Sequence, residues 1–229
     1  MSFVISADSP VRFDAPQPEA ADVVVIGGGI AGVMSAYYLA QAGKRVVLCE
    51  KGRIAAEQSS RNWGWIRQQK RDPAELPIMI ESLRLWQGLA AQLPPALGFR
   101  QCGVAYTTHD PAQMEGYARW VALAAEHGVE SRLLSRADLQ DLVPNSAGWV
   151  GGLITPSDAR AEPFVAVPML AELAQAAGVT ILENCAVRGL DRVAGQVAGV
   201  VTERGRIAAP QVLLAGGAWS SIFARREGV

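Results

Sequence analysis

The chain has 229 residues, half of them apolar, with 21 basic against 22 acidic side chains and a formal charge of -1. So apolar a composition excludes a disordered chain and predicts a globular protein of one or two domains. The balanced charge excludes a basic field for a nucleic-acid backbone, since Arg61, Arg67, Lys70 and Arg71 are interleaved with Trp and Gln rather than forming a stripe.

Residues 1–20 are polar, acidic and proline-bearing, without the basic-then-apolar order of a secretory signal, and read as a flexible, frayed leader. Val23 to Ala42 carries no charge and is long enough for a membrane span. Gly27, Gly28 and Gly29 interrupt it, however, and the pattern changes there from a β-branched run to helical spacing, so no transmembrane segment is expected. The region reads as a buried parallel strand over Asp22 to Ile26, a helix over Ile30 to Ala42 and a second strand over Arg45 to Glu50. Lys51 to Arg71 has no sustained period, which predicts a long ordered loop or a pair of short helices.

Leu76 to Ala91 has helical spacing, Phe99 to Thr107 reads as a strand, and Pro111 to His127 as an amphipathic helix. Ser135 with Asp138 three residues on resembles a capping box opening a short helix that stops before Pro144. This block breaks the βαβ rhythm. From Pro163 the rhythm returns with a helix to Ala177 and a strand over Val179 to Leu182. Ala186 to Val193 and Val197 to Glu203 then form a hairpin, which Arg206 to Ala209 extends to a three-stranded meander. Gln211 to Ala215 is a final strand, followed by a helix from Ser220.

The chemistry lies in Gly27-x-Gly29-x-x-Gly32, between a strand and a helix. The first glycine makes the tight turn, the second lets the main chain approach a pyrophosphate, and the third allows close packing of helix on strand. Amides of Ile30 and Ala31 at the helix N-terminus suit phosphate oxygens. Glu50, closing the second strand, can accept hydrogen bonds from both ribose hydroxyls of an adenosine. This unit does not by itself separate FAD from NAD.

With Val23 to Gly32 and Glu50-Lys51 stand further landmarks in order: Ser59-Ser60-Arg61-Asn62-Trp63-Gly64, Gly103-Val104-Ala105, Thr155-Pro156-Ser157-Asp158, Glu162-Pro163, Gly178-Val179, Cys185-Ala186-Val187 and Leu214-Ala215-Gly216-Gly217-Ala218-Trp219-Ser220. From about Asp22 to its end the chain resembles the D-amino-acid oxidase, glycine oxidase and sarcosine oxidase family. The resemblance implies an α/β protein: a Rossmann-like FAD-binding domain with a central parallel sheet and a β-meander, plus part of an inserted α+β substrate domain. It divides the chain at 21–85, 86–155 and 156–229, with the first and last parts forming the FAD-binding domain. It also implies cofactor contacts from Gly27, Gly29, Ile30, Ala31, Gly32, Glu50, Lys51, Ser59, Ser60, Arg61, Asn62, Gly64, Val187, Ala215, Gly216, Gly217 and Trp219. No histidine occurs in Lys51 to Arg71, so FAD is expected to be noncovalent. Members of the family run through roughly as much chain again, which reads this sequence as an N-terminal fragment or half of a split protein needing a second half or subunit.

The implied reaction is oxidation of an amine or amino acid at its C–N bond. The alternatives are a 2-hydroxy acid or glycerol phosphate dehydrogenase of the same fold, or a noncatalytic FAD-binding fragment. No catalytic residue is assigned. Trp63 and Trp65 either shape the flavin surroundings or pin their loop, and Arg67 faces either a substrate carboxylate or solvent and phosphate. His109 and His127 read as structural, Tyr37 and Tyr38 as core and rim residues, and the Arg225-Arg226-Glu227 end as a solvated helix terminus. Cys49, Cys102 and Cys185 lack metal-ligand spacing and are expected as reduced core thiols in a cytoplasmic protein, with no metal site.

Overall fold

A computed structural model describes residues 5–145 and 147–228. In chain order the elements are β1 (Val23–Ile26), α1 (Ile30–Gln41), β2 (Val46–Cys49), β3 (Trp65–Ile66), α2 (Leu76–Ala90), β4 (Val104–Thr108), α3 (Pro111–Glu126) and β5 (Arg132–Leu134). There follow α4 (Arg136–Leu142), β6 (Gly151–Thr155), β7 (Ala159–Arg160), α5 (Pro163–Ala176), β8 (Thr180–Leu182) and β9 (Val187–Val193). The last are β10 (Gln196–Thr202), β11 (Gly205–Ala208), β12 (Gln211–Leu214) and α6 (Ser220–Arg226). Two compact units result: the described residues up to Asn62 together with those from Pro163 onward, and Trp63–Glu162. Residues 63–85, expected with the first unit, and 156–162, expected with its return, group instead with the second.

The first unit is built on a parallel sheet of order β12-β1-β2-β8. Val23, Val24 and Val25 are all buried, as a strand covered on both faces requires. Alternation sends Val24, Val47 and Cys49 to one face, where they join Val200 and Ile207 of the antiparallel meander β11-β10-β9 in a single core. On the other face α1 packs on β1 and β2 and against α5.

Two expectations are corrected in this unit and its partner. The polar, proline-bearing composition of residues 1–20 predicts a frayed leader, yet the described part is tied down from Ser9, whose carbonyl accepts from Arg53 at 2.6 Å. Phe13 is 2% exposed, Asp14 bridges to Leu182, and Ala20 bridges to Ala208. These contacts link residues far apart in sequence, so local composition carries no trace of them. Cys49 and Cys185 are buried as expected, but Cys102 is exposed. It lies just before β4, outside the buried face of the strand.

The second unit holds an antiparallel sheet of order β4-β6-β5 and a short β3-β7 pair. Leu76 of α2, Tyr117, Trp120 and Ala124 of α3 and Leu153 of β6 form its core. Asp110 caps α3 by accepting from the Ala112 amide at 2.9 Å, and Ser135 with Asp138 makes the expected capping box on α4. The strand expected from Phe99 begins only at Val104: Arg100 and Gly103 spend their amides on the Arg160 and Asp158 carbonyls, and Phe99 stacks on Trp86 of α2 with centroids 6.5 Å apart.

Asp158 fastens this unit. Fully buried, it accepts from the Gln68 amide at 2.7 Å and the Gln69 amide at 3.1 Å. An asparagine here would leave its NH2 facing an amide donor, so Asp158→Asn is expected to cost about 2 kcal/mol. A shift of the urea midpoint to lower concentration checks this; an unchanged midpoint contradicts it. No helix among the described residues is long and apolar enough to cross a membrane.

Candidate functional site

The C-terminal ends of β12, β1 and β2 open into a cleft of about 370 Å³ in the first unit. Parallel sheets bind ligands at this edge, where the strand-to-helix turns present free amides. Its walls include Gly27, Gly28 and Gly29 after β1, Glu50 and Lys51 after β2, and Ala215, Gly216 and Gly217 after β12. The strand tips converge: the Gly27 amide donates to the Cys49 carbonyl at 2.9 Å, and the Ala215 amide to the Ile26 carbonyl at 2.8 Å.

Glu50 is 8% exposed and points into this junction. One carboxylate oxygen accepts from the Gly28 amide and the other from the Gly52 amide, each at 2.7 Å. Burial pushes its carboxyl above the ordinary carboxylate range, against the downward pull of those two amides. The carboxylate is therefore held by main-chain amides of the glycine turn and of Gly52, with no cation in hydrogen-bond contact among the described residues.

Of the residues assigned by resemblance, Gly27, Gly29, Glu50, Lys51, Ser59, Arg61, Val187, Ala215, Gly216, Gly217 and Trp219 line the cleft. Ile30, Ala31, Gly32, Ser60 and Asn62 belong to the same unit but do not line it, and Gly64 lies in the second unit. The Ile30 amide is taken by the Ser59 hydroxyl at 2.9 Å, and Asn62 donates to the Gln58 carbonyl at 2.8 Å. Lys51 lies 3.6 Å above the Trp219 ring and 3.1 Å from Glu57, which Arg61 also approaches at 3.6 Å. In the second unit Arg67 donates to the Tyr106 hydroxyl at 2.6 Å and to the Gln69 carbonyl at 2.5 Å, both neutral groups. Trp63 is 79% exposed and meets Trp65 edge-on, 5.1 Å between centroids.

Sequence reasoning missed part of the wall: Glu57, Gln58, Ala186, Arg188, Ile222, Phe223 and Arg226. A signal existed for the last three. Trp219, Ile222, Phe223 and Arg226 follow the i, i+3, i+4, i+7 spacing of one helix face, and that face lines the cleft. The terminus read as solvated thus carries a cation at the site.

The residues present fit an FAD. A Cβ on Gly29 would meet only the Ser59 hydroxyl oxygen, at 3.1 Å, so the space above this turn is open to a close-approaching diphosphate. A second glycine pair, Gly216-Gly217, borders the same cleft, and the buried Glu50 carboxylate stands at the end of the adjacent strand β2.

Residues 22–228 match the family described as FAD dependent oxidoreductase. The chain is 32% identical to mitochondrial sarcosine dehydrogenase of Homo sapiens, over 98% of this chain and 25% of that protein. It is 32% identical to sarcosine oxidase subunit beta of Rhizobium meliloti, over 91% of this chain and 52% of that one. The structure of L-amino acid deaminase from Proteus myxofaciens superposes with a TM-score of 0.91 at 31% identity, covering 98% of this chain and 52% of that one. The chain thus spans between a quarter and about half of the proteins it resembles.

Proposed function

The chain belongs to the FAD-dependent oxidoreductase family, and from that premise we propose that it forms the cofactor-holding part of an enzyme that oxidises an amine or amino acid at its C–N bond. The observation that carries this reading is the meeting of three strand ends at one cleft, with glycine turns on two and Glu50 on the third. When bound, FAD supplies a two-electron acceptor for a hydride from the substrate's α-carbon, leaving an imine that water hydrolyses.

The chain's own residues hold and orient. Of the Gly27 to Gly29 turn, the Gly29 amide faces the diphosphate, since Gly27 and Gly28 spend theirs on the Cys49 carbonyl and the Glu50 carboxylate; Gly216 and Gly217 approach from the other side, and Arg61 adds positive charge on the same wall. Glu50 receives the ribose hydroxyls, and Val187 borders the adenine. Ile30, Ala31, Gly32, Ser60 and Asn62, in the same unit, support this arrangement from outside the wall. The cofactor is held noncovalently in a reducing, cytoplasmic setting, in keeping with the free thiols. Substrate binding is completed by sequence corresponding to the unmatched part of the relatives, continuous with this chain or on a second polypeptide.

Reducible flavin separates the readings. With the complete assembly held anaerobic, N-methyl amino acids or amino acids are expected to bleach the flavin absorbance, and 2-hydroxy acids are not. Bleaching by hydroxy acids alone would overturn the amine assignment while leaving the cofactor site intact.

Glu50 gives a pH test. Because its carboxyl is raised by burial, protonation begins above the ordinary carboxylate range. The ionised form accepts the ribose hydroxyls, so FAD affinity is expected to fall as pH drops through that raised value. The cofactor-free fold moves oppositely: it binds the extra proton before the unfolded chain does, so its stability rises as pH falls from the raised value towards the ordinary one. Glu50→Gln, which removes the charge, is expected to weaken FAD by about thirtyfold, within the 1.5–3 kcal/mol span for hydrogen bonds to a charged group, and to flatten the pH dependence. Fluorescence titration of FAD from mildly acidic to neutral pH reads both; an unaltered slope in the variant would exclude Glu50.

A further inference from the structure

A second buried carboxylate stands behind the first. Glu183 directly follows β8 and is 1% exposed. One of its oxygens accepts from the Arg12 amide at 2.7 Å and the Phe13 amide at 3.3 Å, and the other from the Ile54 amide at 2.8 Å. Among the described residues it forms no ion pair. Burying a charge without a cation is costly unless hydrogen bonds replace its hydration, and here three backbone donors do so. A side chain kept under those conditions is fixing the backbone segments it joins.

One of those segments is the loop after Glu50. Gly52 donates to the Glu50 carboxylate at 2.7 Å, and Ala55, at φ 64°, donates to the Gly28 carbonyl at 3.0 Å. Ile54 lies between them, held from behind by Glu183. Asn184 adds a second tether, its amide donating to the Gly52 carbonyl at 3.0 Å and its side-chain oxygen accepting from Arg53. Arg53 in turn donates to the Ser9 carbonyl at 2.6 Å. The loop is thus gripped on one side by the glycine turn and Glu50, on the other by Glu183 and the N-terminal segment.

We propose that Glu183 is a positioning residue for the nucleotide site: through the Ile54 amide it fixes the Gly52–Ala55 loop, and so aims the Glu50 carboxylate at the adenosine ribose. The inference rests on the reading of Glu50 as the ribose acceptor. It assigns part of the cofactor's selectivity to residues outside the cleft, including the segment around Arg12 and Phe13.

The test compares ADP with 2′-deoxy-ADP by calorimetric titration of the full chain. The unaltered chain is expected to prefer ADP by about tenfold, the value of one hydrogen bond to a charged acceptor. In Glu183→Gln that preference is expected to fall below about threefold, because the amide cannot accept from both sides and the aim of Glu50 is lost. The ratio is insensitive to partial unfolding, since unfolded chain binds neither ligand. Should Glu183→Gln fail to fold, Arg53→Ala removes the loop's side-chain ties to Asn184 and Ser9, leaving the Asn184 amide on Gly52, and is expected to lower the ratio in the same direction. A variant that binds with the full tenfold preference overturns the proposal. An unaltered chain with no preference overturns the assignment of Glu50 on which it depends, and the two failures are distinct.

Discussion

Gly29→Val is expected to abolish FAD retention while the chain stays folded. A diphosphate can reach the glycine turn only because nothing projects above Gly29, and a first added carbon would meet just the Ser59 hydroxyl oxygen at 3.1 Å. That contact can relax by rotation of a small side chain. The two further methyl groups of valine, in contrast, fill the space where phosphate oxygens must come within hydrogen-bond distance. The expected loss is at least about a hundredfold in affinity, or about 3 kcal/mol. Flavin absorbance co-eluting on gel filtration measures it, with circular dichroism and a thermal melt as controls on the fold. A valine variant that elutes yellow would show that the diphosphate does not approach this turn.

The third glycine of the same motif answers to a different physical demand, and Gly32→Ala is expected to damage the fold itself. A Cβ at Gly32 would stand 1.9 Å from the Gly27 carbonyl oxygen and 3.1 Å from its carbon. Both belong to backbone anchored in the sheet, so the helix must move off the strand. The expected cost is about 4 kcal/mol, at the upper end for overpacking, and a fall in melting temperature of about 10 °C for a chain of this length. One added methyl group thus distinguishes the glycine that packs from the glycine that binds. If Gly32→Ala melts with the parent chain, the close helix-to-strand packing is wrong.

The βαβ unit was legible because its signals are local. Three consecutive buried valines, a glycine turn and a helical run succeed one another within thirty residues, and the meander announces itself through Ala194-Gly195 between alternating stretches. The capping box at Ser135 was equally plain. What escaped was set by partners distant in sequence. Strand β6 opens on two glycines, which argue against a strand on propensity, yet a Cβ at Gly152 would lie 2.5 Å from the Tyr106 carbonyl oxygen of the neighbouring strand. Only tertiary pairing makes glycine the fitting residue there. Phe13 looked like part of a leader because its burial depends on Glu183, some 170 positions away. Arg226 looked solvated because its neighbours are charged, although the helix period placed it beside Trp219 and Phe223 on the cleft. Glu50, by contrast, could be named from its position at the end of β2, and its contact with the Gly28 amide is the feature that links the two strand tips.

In this site one turn holds a diphosphate while the acid of the adjacent strand holds the adenosine sugar. A crystal structure of the chain with FAD tests this arrangement most directly. A phosphate oxygen is expected within hydrogen-bond distance of the Gly29 amide, with both ribose hydroxyls on the Glu50 carboxylate. A nucleotide bound elsewhere, or a ribose placed away from Glu50, would contradict it.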